Sequence, residues 1–354
     1  MLGEASRRIH TDNCSVFPPP QLDFRDISHN IEQKRDNAVV RKAPIDPAAV
    51  PEIARLYEEQ KDVSSSLNVT RHSQNIAGDR VKELAANKKK DPHAFQAALE
   101  EAKELKAKAA ELESQLADVE SKMHELALSL PNDTHPDVPR GPEDCKKVLS
   151  EHGPPPLPAS PQRDHLAIGR KLGLLDMESA STVTGSSWYY LTNEGALLEM
   201  ALISYALSIA TRRGFKPVTA PDVVRSDIAY RCGFQPRDPT DQASLSMYHV
   251  THDLTPGHRP DLVLTGTAEI PLAGMFANKV FYPQELPAKL VGLGRAFRPE
   301  AGASGVDTRG LFRVHQFTKL ELFAVTQQGE SEAMMEELRS LQTEIFEGLG
   351  LTFQ

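Results

Sequence analysis

From Phe95 onward, apolar residues recur in alternating steps of three and four: Phe95, Ala98, Ala102, Leu105, Ala109, Leu112, Leu116, Val119, Met123, Leu126 and Leu130. No β-strand can use that spacing. It is a heptad seam, and it predicts a coiled-coil helix of about five repeats. Glu100, Glu101, Lys103, Glu104, Lys106, Lys108, Glu111 and Glu113 fall between the seam positions as a mixed-charge exposed face. The partner is expected in the preceding stretch, through Ile53, Leu56, Val63, Leu67, Ile76, Val81 and Leu84. That seam is poorer, with Ser64-Ser65-Ser66 and Asn68 interrupting it. Asn87 to Pro92 is the expected turn, with Pro92 early in the second helix. At 1.5 Å per residue the arm would be roughly 60 Å long. It is too thin to enclose a small molecule, yet long enough to reach a large partner. Lys82, Lys88, Lys89 and Lys90 near its tip would suit phosphates, with salt-sensitive binding. A dimerising coiled coil would show the same seam.

Leu130-Pro131-Asn132 stops the helix, because proline cannot continue one. Nine prolines between residues 131 and 161 read as a linker. Beyond it the periodicity mixes. Trp188-Tyr189-Tyr190-Leu191 is strand-like. Glu194 to Arg213 predicts a helix with Gly214 as its stop, and Phe215 to Pro221 a short strand closed by proline. At the other end, Pro18-Pro19-Pro20 sets off a leader bearing Arg7 and Arg8. Its composition suits a mitochondrial transit peptide or a disordered tail.

The net charge of −9 over 354 residues excludes a basic nucleic-acid coat, so any such contact must come from a local patch. Three distant cysteines form no CxxC pair, which argues against a disulfide framework or a zinc site, and no metal ligands are assigned. No apolar run approaches the ~20 residues of a membrane helix.

Residues 295–321 carry the densest chemistry. Arg295, Arg298, Arg309, Arg313, Glu300 and Glu321 surround a glycine-bearing turn between two alternating segments, predicting strand, loop and strand. Arginines on such a hairpin can grip a triphosphate and carboxylates an ammonium group. Upstream, Thr267-Ala268-Glu269 offers a hydroxyl and a carboxylate one small residue apart. Polar groups in a small pocket can select a substrate hydroxyl. The same residues would suit a helix start, with Thr267 capping and Glu269 complementing the dipole.

The run from Arg295 to Glu321 resembles motif 2 of the class II aminoacyl-tRNA synthetases in its seryl form. The helix–strand–Pro221 segment resembles motif 1, and Thr-Ala-Glu the serine-site triplet of seryl-tRNA synthetases. Leu22-Asp23-Phe24-Arg25-Asp26-Ile27, with Asn30 and Lys34, looks like the start of their N-terminal domain. The resemblance implies an α+β chain: an N-terminal antiparallel α-helical coiled-coil arm, then a class II catalytic domain on an antiparallel β-sheet flanked by helices. It implies a leader over 1–20, a tRNA-binding arm over 21–130, a linker over 131–161 and the catalytic domain over 162–354.

It further implies ATP-dependent activation of L-serine with Mg²⁺, transfer to tRNA-Ser, a homodimer built on motif 1 with Pro221, and no membrane. Serine would meet Thr267, Ala268, Glu269 and Glu321. ATP would meet Arg298 at the α-phosphate, with Pro299, Glu300, Arg313, the Val314 backbone and Phe317 under adenine; core packing is the alternative for Phe317. Asp307, Arg309 and His315 would hold the hairpin or touch the tRNA acceptor end.

Two departures qualify this. Ser187-Trp188 stands where many members carry arginine and phenylalanine, which with the leader favours a mitochondrial over a cytoplasmic location. The resemblance also runs from 22 to 354 and stops before motif 3, so the catalytic domain is expected to lack its C-terminal part. The chain alone is then expected to form no seryl-adenylate. A non-catalytic tRNA-binding or regulatory paralogue would fit the same residues.

Overall fold

The computed structural model describes residues 20–43, 45–86, 91–234, 247–250, 261–300 and 309–354. The chain divides into two compact units, one over Pro20–Lys147 and one containing Val148–Gln354.

The first unit holds α1 (Phe24–His29), α2 (Ile31–Val40), α3 (Ala49–Ala86) and α4 (Pro92–Leu128). Helix α4 starts at Asp91, whose carboxylate accepts the Ala94 N–H at 2.9 Å, with proline in its first turn. Every seam residue of α4 from Phe95 to Leu126 is buried or half-buried, and the glutamates and lysines between them are exposed apart from half-buried Glu120. Helix α3 departs from its expected seam at one place. Ile76 is 58% exposed, whereas Ala77 is 4% exposed. Thr70, buried and bonded through its hydroxyl to the Ser66 carbonyl, holds a seam position that hydropathy alone passes over.

Leu22, Phe24 and Ile27 of the N-terminal segment close the arm's base, packing on Ile53, Leu56, Val119, Met123 and Ala127. Lys34 bridges Asp26 and Asp133, each at 2.6 Å. Asn37 bonds the Asn132 carbonyl and the Thr134 N–H, tying α2 to the segment after α4. At the same base Glu52 links the two long helices, 2.8 Å from Arg55 and 3.1 Å from Lys122. Arg55 first, then Lys122, hold its carboxyl down at about 2. A depressed carboxylate stabilises the fold above its unfolded value of 4.5, and that contribution is lost as pH falls toward 2. Solvent screening at these exposed side chains keeps that contribution small. Carboxyl NMR titration of Glu52 is the check; a midpoint near 4.5 would sink it.

The second unit runs α5 (His165–Lys171), β1 (Leu175–Asp176), α6 (Glu178–Val183), β2 (Tyr190–Leu191), α7 (Glu194–Arg212), β3 (Lys216–Thr219), β4 (Val223–Arg225), α8 (Ser226–Arg231), β5 (His249–Val250), β6 (Leu262–Leu264), α9 (Glu269–Met275), β7 (Ala288–Phe297), β8 (Gln316–Val325) and α10 (Ser331–Gly348). The aromatic run at 188–191 forms only the two-residue β2, paired antiparallel with β1.

The central sheet has the order β3-β7-β8. Its β7–β8 hairpin is antiparallel over ten residue pairs, while β3 joins β7 in parallel. Val291, Leu320 and Leu322 face α7 and α10, in a core with Ile209, Phe215, Leu341 and Ile345. Leu290 faces the other way, toward Ala220, Ala268 and Leu272. A second sheet, β4-β6-β5, is antiparallel. Against the expectation that no apolar run is long enough for a membrane helix, α7 has that length and composition, the one such helix among the described residues. Its Ile209 and Ala210 are buried on the sheet, and Leu197, Leu198, Met200 and Leu202 are exposed.

Candidate active site

Strand alternation sorts the hairpin into two faces. Phe317, Lys319 and Glu321 stand opposite Ala296, Gly294 and Gly292. Those small partners leave room on one face. A Cβ at Gly292 would lie 2.7 Å from Leu272 Cδ1, and one at Gly294 would lie 3.5 Å from Ala268 Cβ. The start of α9 therefore seats directly on this face. That brings the Thr267-Ala268-Glu269 turn to Glu321.

Thr267 is 3% exposed. Its hydroxyl donates to Glu321 Oε2 at 2.6 Å and accepts Lys319 Nζ at 3.0 Å and the Glu269 N–H at 3.3 Å. Ala268, not Thr267, is the N-cap of α9; the Thr267 hydroxyl instead supports the helix start through the Glu269 N–H and bonds the Glu321 carboxylate across the hairpin face. Lys319 Nζ also pairs with Glu321 Oε2 at 2.6 Å. Ala268 is buried, its Cβ set over the Gly294 backbone. Glu269 is exposed, at the first position of α9, and stands outside the Thr267–Lys319–Glu321 cluster. Burial, and secondarily the Glu269 charge, push the nearby Cys232 thiol up.

Lys319 is the site residue that sequence reasoning left out. Its signal was present: two-residue alternation puts it on one face with Phe317 and Glu321.

Toward the open end of the same hairpin lies the arginine. Arg298 continues the ladder, its N–H donating to the His315 carbonyl at 2.9 Å. Its guanidinium lies over the Phe317 ring, 5.1 Å from the centroid. Phe317 is half-buried and serves as a platform for that cation. Pro299 leads into Glu300, which adopts φ 48°, an uncommon backbone for a side chain with a Cβ. Glu300 is ion-paired with Arg313, and Val314 is buried beside it in sequence. His315 holds the hairpin's end. Its N–H donates to the Ser187 carbonyl, Nδ1 lies 2.7 Å from Tyr248 Oη and 3.1 Å from the Arg298 carbonyl, and Trp188 stacks on its ring.

Two of the four arginines point elsewhere. Arg295 alternates to the opposite face, where it lines a cavity with Tyr189, Glu199 and Met200. Arg309 reaches Asp164. Pro221 is exposed just past β3, and Ala220 before it makes the last bond to β7. The following Asp222 accepts the Arg295 N–H at 2.8 Å, fixing that corner to the hairpin. In the arm, Lys82 is exposed and 2.8 Å from Asp79. Lys88, Lys89 and Lys90, and Asp307 of the hairpin loop, lie outside the described residues.

A carboxylate, a hydroxyl and a lysine sit on one end of a strand face, and an arginine on an aromatic platform at the other. Such a face can hold an ammonium group beside a phosphate. The family model for the seryl-tRNA synthetase N-terminal domain matches residues 22–134, and that for the tRNA synthetase class II core domain (G, H, P, S and T) matches residues 250–354. The serine–tRNA ligase of Treponema denticola is 36% identical over 94% of this chain and 75% of its own length. The mitochondrial serine–tRNA ligase of Schizosaccharomyces pombe is 35% identical over 93% of this chain and 67% of its own. The seryl-tRNA synthetase of Pyrococcus horikoshii, solved with ATP, superposes with a TM-score of 0.79 at 29% identity, covering 94% of this chain and 75% of that one. With the helical arm, the hairpin and the Thr267–Glu321 pair falling within these matches, the chain belongs to the seryl-tRNA synthetase family.

Proposed function

We propose that the site on this chain serves the activation of L-serine with ATP and the passage of the activated serine to tRNA-Ser. The observation that carries this reading is the joining of Thr267, Lys319 and Glu321 on the hairpin face that also bears Arg298 and Phe317. Glu321, oriented by Thr267, would take the serine ammonium, and Glu269 at the exposed rim would supply a second acceptor. Ala268 keeps the pocket shallow enough for a small amino acid. Arg298 would grip the α-phosphate, where charge builds during transfer. Pro299 and Glu300 turn the chain so that Glu300 orients Arg313, the second phosphate ligand, while the Val314 backbone lines the nucleotide. Phe317 offers adenine the ring area that Arg298 leaves open.

The serine carboxylate attacks the α-phosphate, and pyrophosphate leaves. A terminal ribose hydroxyl of tRNA then takes the seryl group. No side-chain nucleophile is required; positioning and electrostatics lower the barrier. Mg²⁺ would share the phosphate charge. The ion would arrive on the nucleotide, and Glu300 is a carboxylate of the hairpin that could meet it.

The arm over 21–130 would hold tRNA, with Lys82, Lys88, Lys89 and Lys90 near its tip, and 162–354 would form the catalytic domain. The exposed apolar residues of α7 favour a second copy as their cover. A homodimer through α7 and the Pro221 corner should show in sedimentation, and Leu198→Asp should shift it toward monomer. The basic leader, with a mitochondrial relative among the matches, supports a mitochondrial address, tested by following a reporter fused behind it.

Serine-dependent ATP–pyrophosphate exchange tests the reading, on this chain and on a form carrying any coding sequence downstream in frame. Exchange in either supports it. Exchange in neither overturns it.

A further inference from the structure

The returning limb of the motif 2 loop rests on the first turn of α5. Leu311 N–H donates to His165 Nε2 at 3.0 Å. Arg309 Nη2 lies 3.4 Å from Asp164 Oδ1. The His165 and Phe312 rings meet edge to face, 4.6 Å between centroids. Between these contacts Gly310 adopts φ 63°, and a Cβ there would collide with His165 Nε2 and lie 2.9 Å from Leu166 Cδ2. The backbone at 310 thus lies flat against the imidazole, and only glycine permits that approach.

The donor and acceptor roles are fixed by chemistry. A main-chain N–H can only donate, so Nε2 accepts and the ring proton belongs on Nδ1, 4.0 Å from Asp164 Oδ2. Asp164 is itself held, capping α5 through the Leu166 and Ala167 N–H groups at 3.0 and 3.3 Å. Burial raises its carboxyl, but those two amide bonds and the Arg309 charge outweigh it and bring it below the usual range. The limb then runs straight into Arg313, which pairs with Glu300, and into buried Val314.

We infer that His165 is a positioning residue for the nucleotide site: its Nε2, by accepting the Leu311 amide, fixes the 309–314 limb and so sets where Arg313 and Glu300 meet ATP. The inference rests on the proposed role of Arg313 and Glu300 as ATP ligands. His165 itself touches no substrate.

Two variants separate this role from packing. His165→Phe keeps a ring against Phe312 but offers no acceptor. His165→Gln loses the ring but can bring Oε1 near the place of Nε2. One net hydrogen bond sets the scale, so His165→Phe should weaken ATP about fivefold to tenfold in equilibrium titration and leave serine affinity within about twofold. His165→Gln should keep ATP affinity within about twofold of the parent. Amide exchange over 309–313, measured without nucleotide, should accelerate in His165→Phe and not in His165→Gln. Equal loss of ATP affinity in both variants would assign the effect to the ring and overturn the inference. So would unchanged exchange in His165→Phe. A parent chain that binds no ATP would instead remove the ATP reading, while the exchange comparison still decides the anchor.

Discussion

Arg298→Ala is expected to lower kcat/KM for ATP about a thousandfold in pyrophosphate exchange by whichever form, this chain or its in-frame extension, supports exchange, ~4 kcal/mol of transition-state stabilisation, and to leave serine affinity nearly unchanged. The size follows from how the side chain is presented. Its main chain is locked by the His315 carbonyl at the end of β7. Its guanidinium is laid over Phe317, so few rotamers remain to be lost on binding. Among the described residues no carboxylate neutralises it, whereas Arg313 is already tied to Glu300. An oriented cation is what a phosphate changing charge requires. Lysine should recover little, because a point charge on a flexible stem neither lies flat on the ring nor forks onto two oxygens. A loss in Arg298→Ala smaller than about tenfold would remove Arg298 from the α-phosphate role.

The two long helices differ in how far their residues disclose their packing. The seam of α4 was legible because each apolar position is local and repeats. In α3 the phase was ambiguous around Thr70 and Ile76, where polar residues occupy seam positions. Packing against α4 chose Ala77 for the interior and left Ile76 outside. Hydropathy ranks isoleucine above alanine, but steps of 63, 67, 70, 74, 77, 81 and 84 keep the heptad phase that the partner helix imposes. The α+β architecture was legible by resemblance, yet the parallel partnership of β3 with β7 is a tertiary choice with no local signature.

The site divides in the same way. Alternation through 315–321 is enough to locate Phe317, Lys319 and Glu321 on one face of a strand. The bond from Thr267 to Glu321 spans 54 residues, and at the level of sequence only resemblance joins those two. The seat of Leu311 on His165 spans 146 residues and uses a backbone amide, so nothing in residue type at 311 announces it. Glycine at 310 is the one local hint, and it reads equally well as an ordinary turn.

Glu321→Gln is expected to weaken serine binding about 100-fold, the 2–3 kcal/mol typical of a hydrogen bond to a charged group that loses its charge. Glutamine keeps the shape and can still accept the Thr267 hydroxyl. What disappears is the negative charge facing the substrate ammonium. Lys319 complicates a simple reading, since its own ammonium already lies 2.6 Å from Oε2. Serine must then share the carboxylate, and Glu321 could instead serve only as the counterion that lets Lys319 sit half-buried. The two cases separate in a double variant. Removing Glu321 alone strands a partly buried cation, which costs stability whatever the residue does for substrate. Lys319→Met with Glu321→Gln removes both charges and should recover much of that stability. If Glu321 binds the serine ammonium, the double variant stays weak for serine although it is stable. If Glu321 is only a counterion, serine affinity returns along with the melting temperature, and the proposed serine site fails.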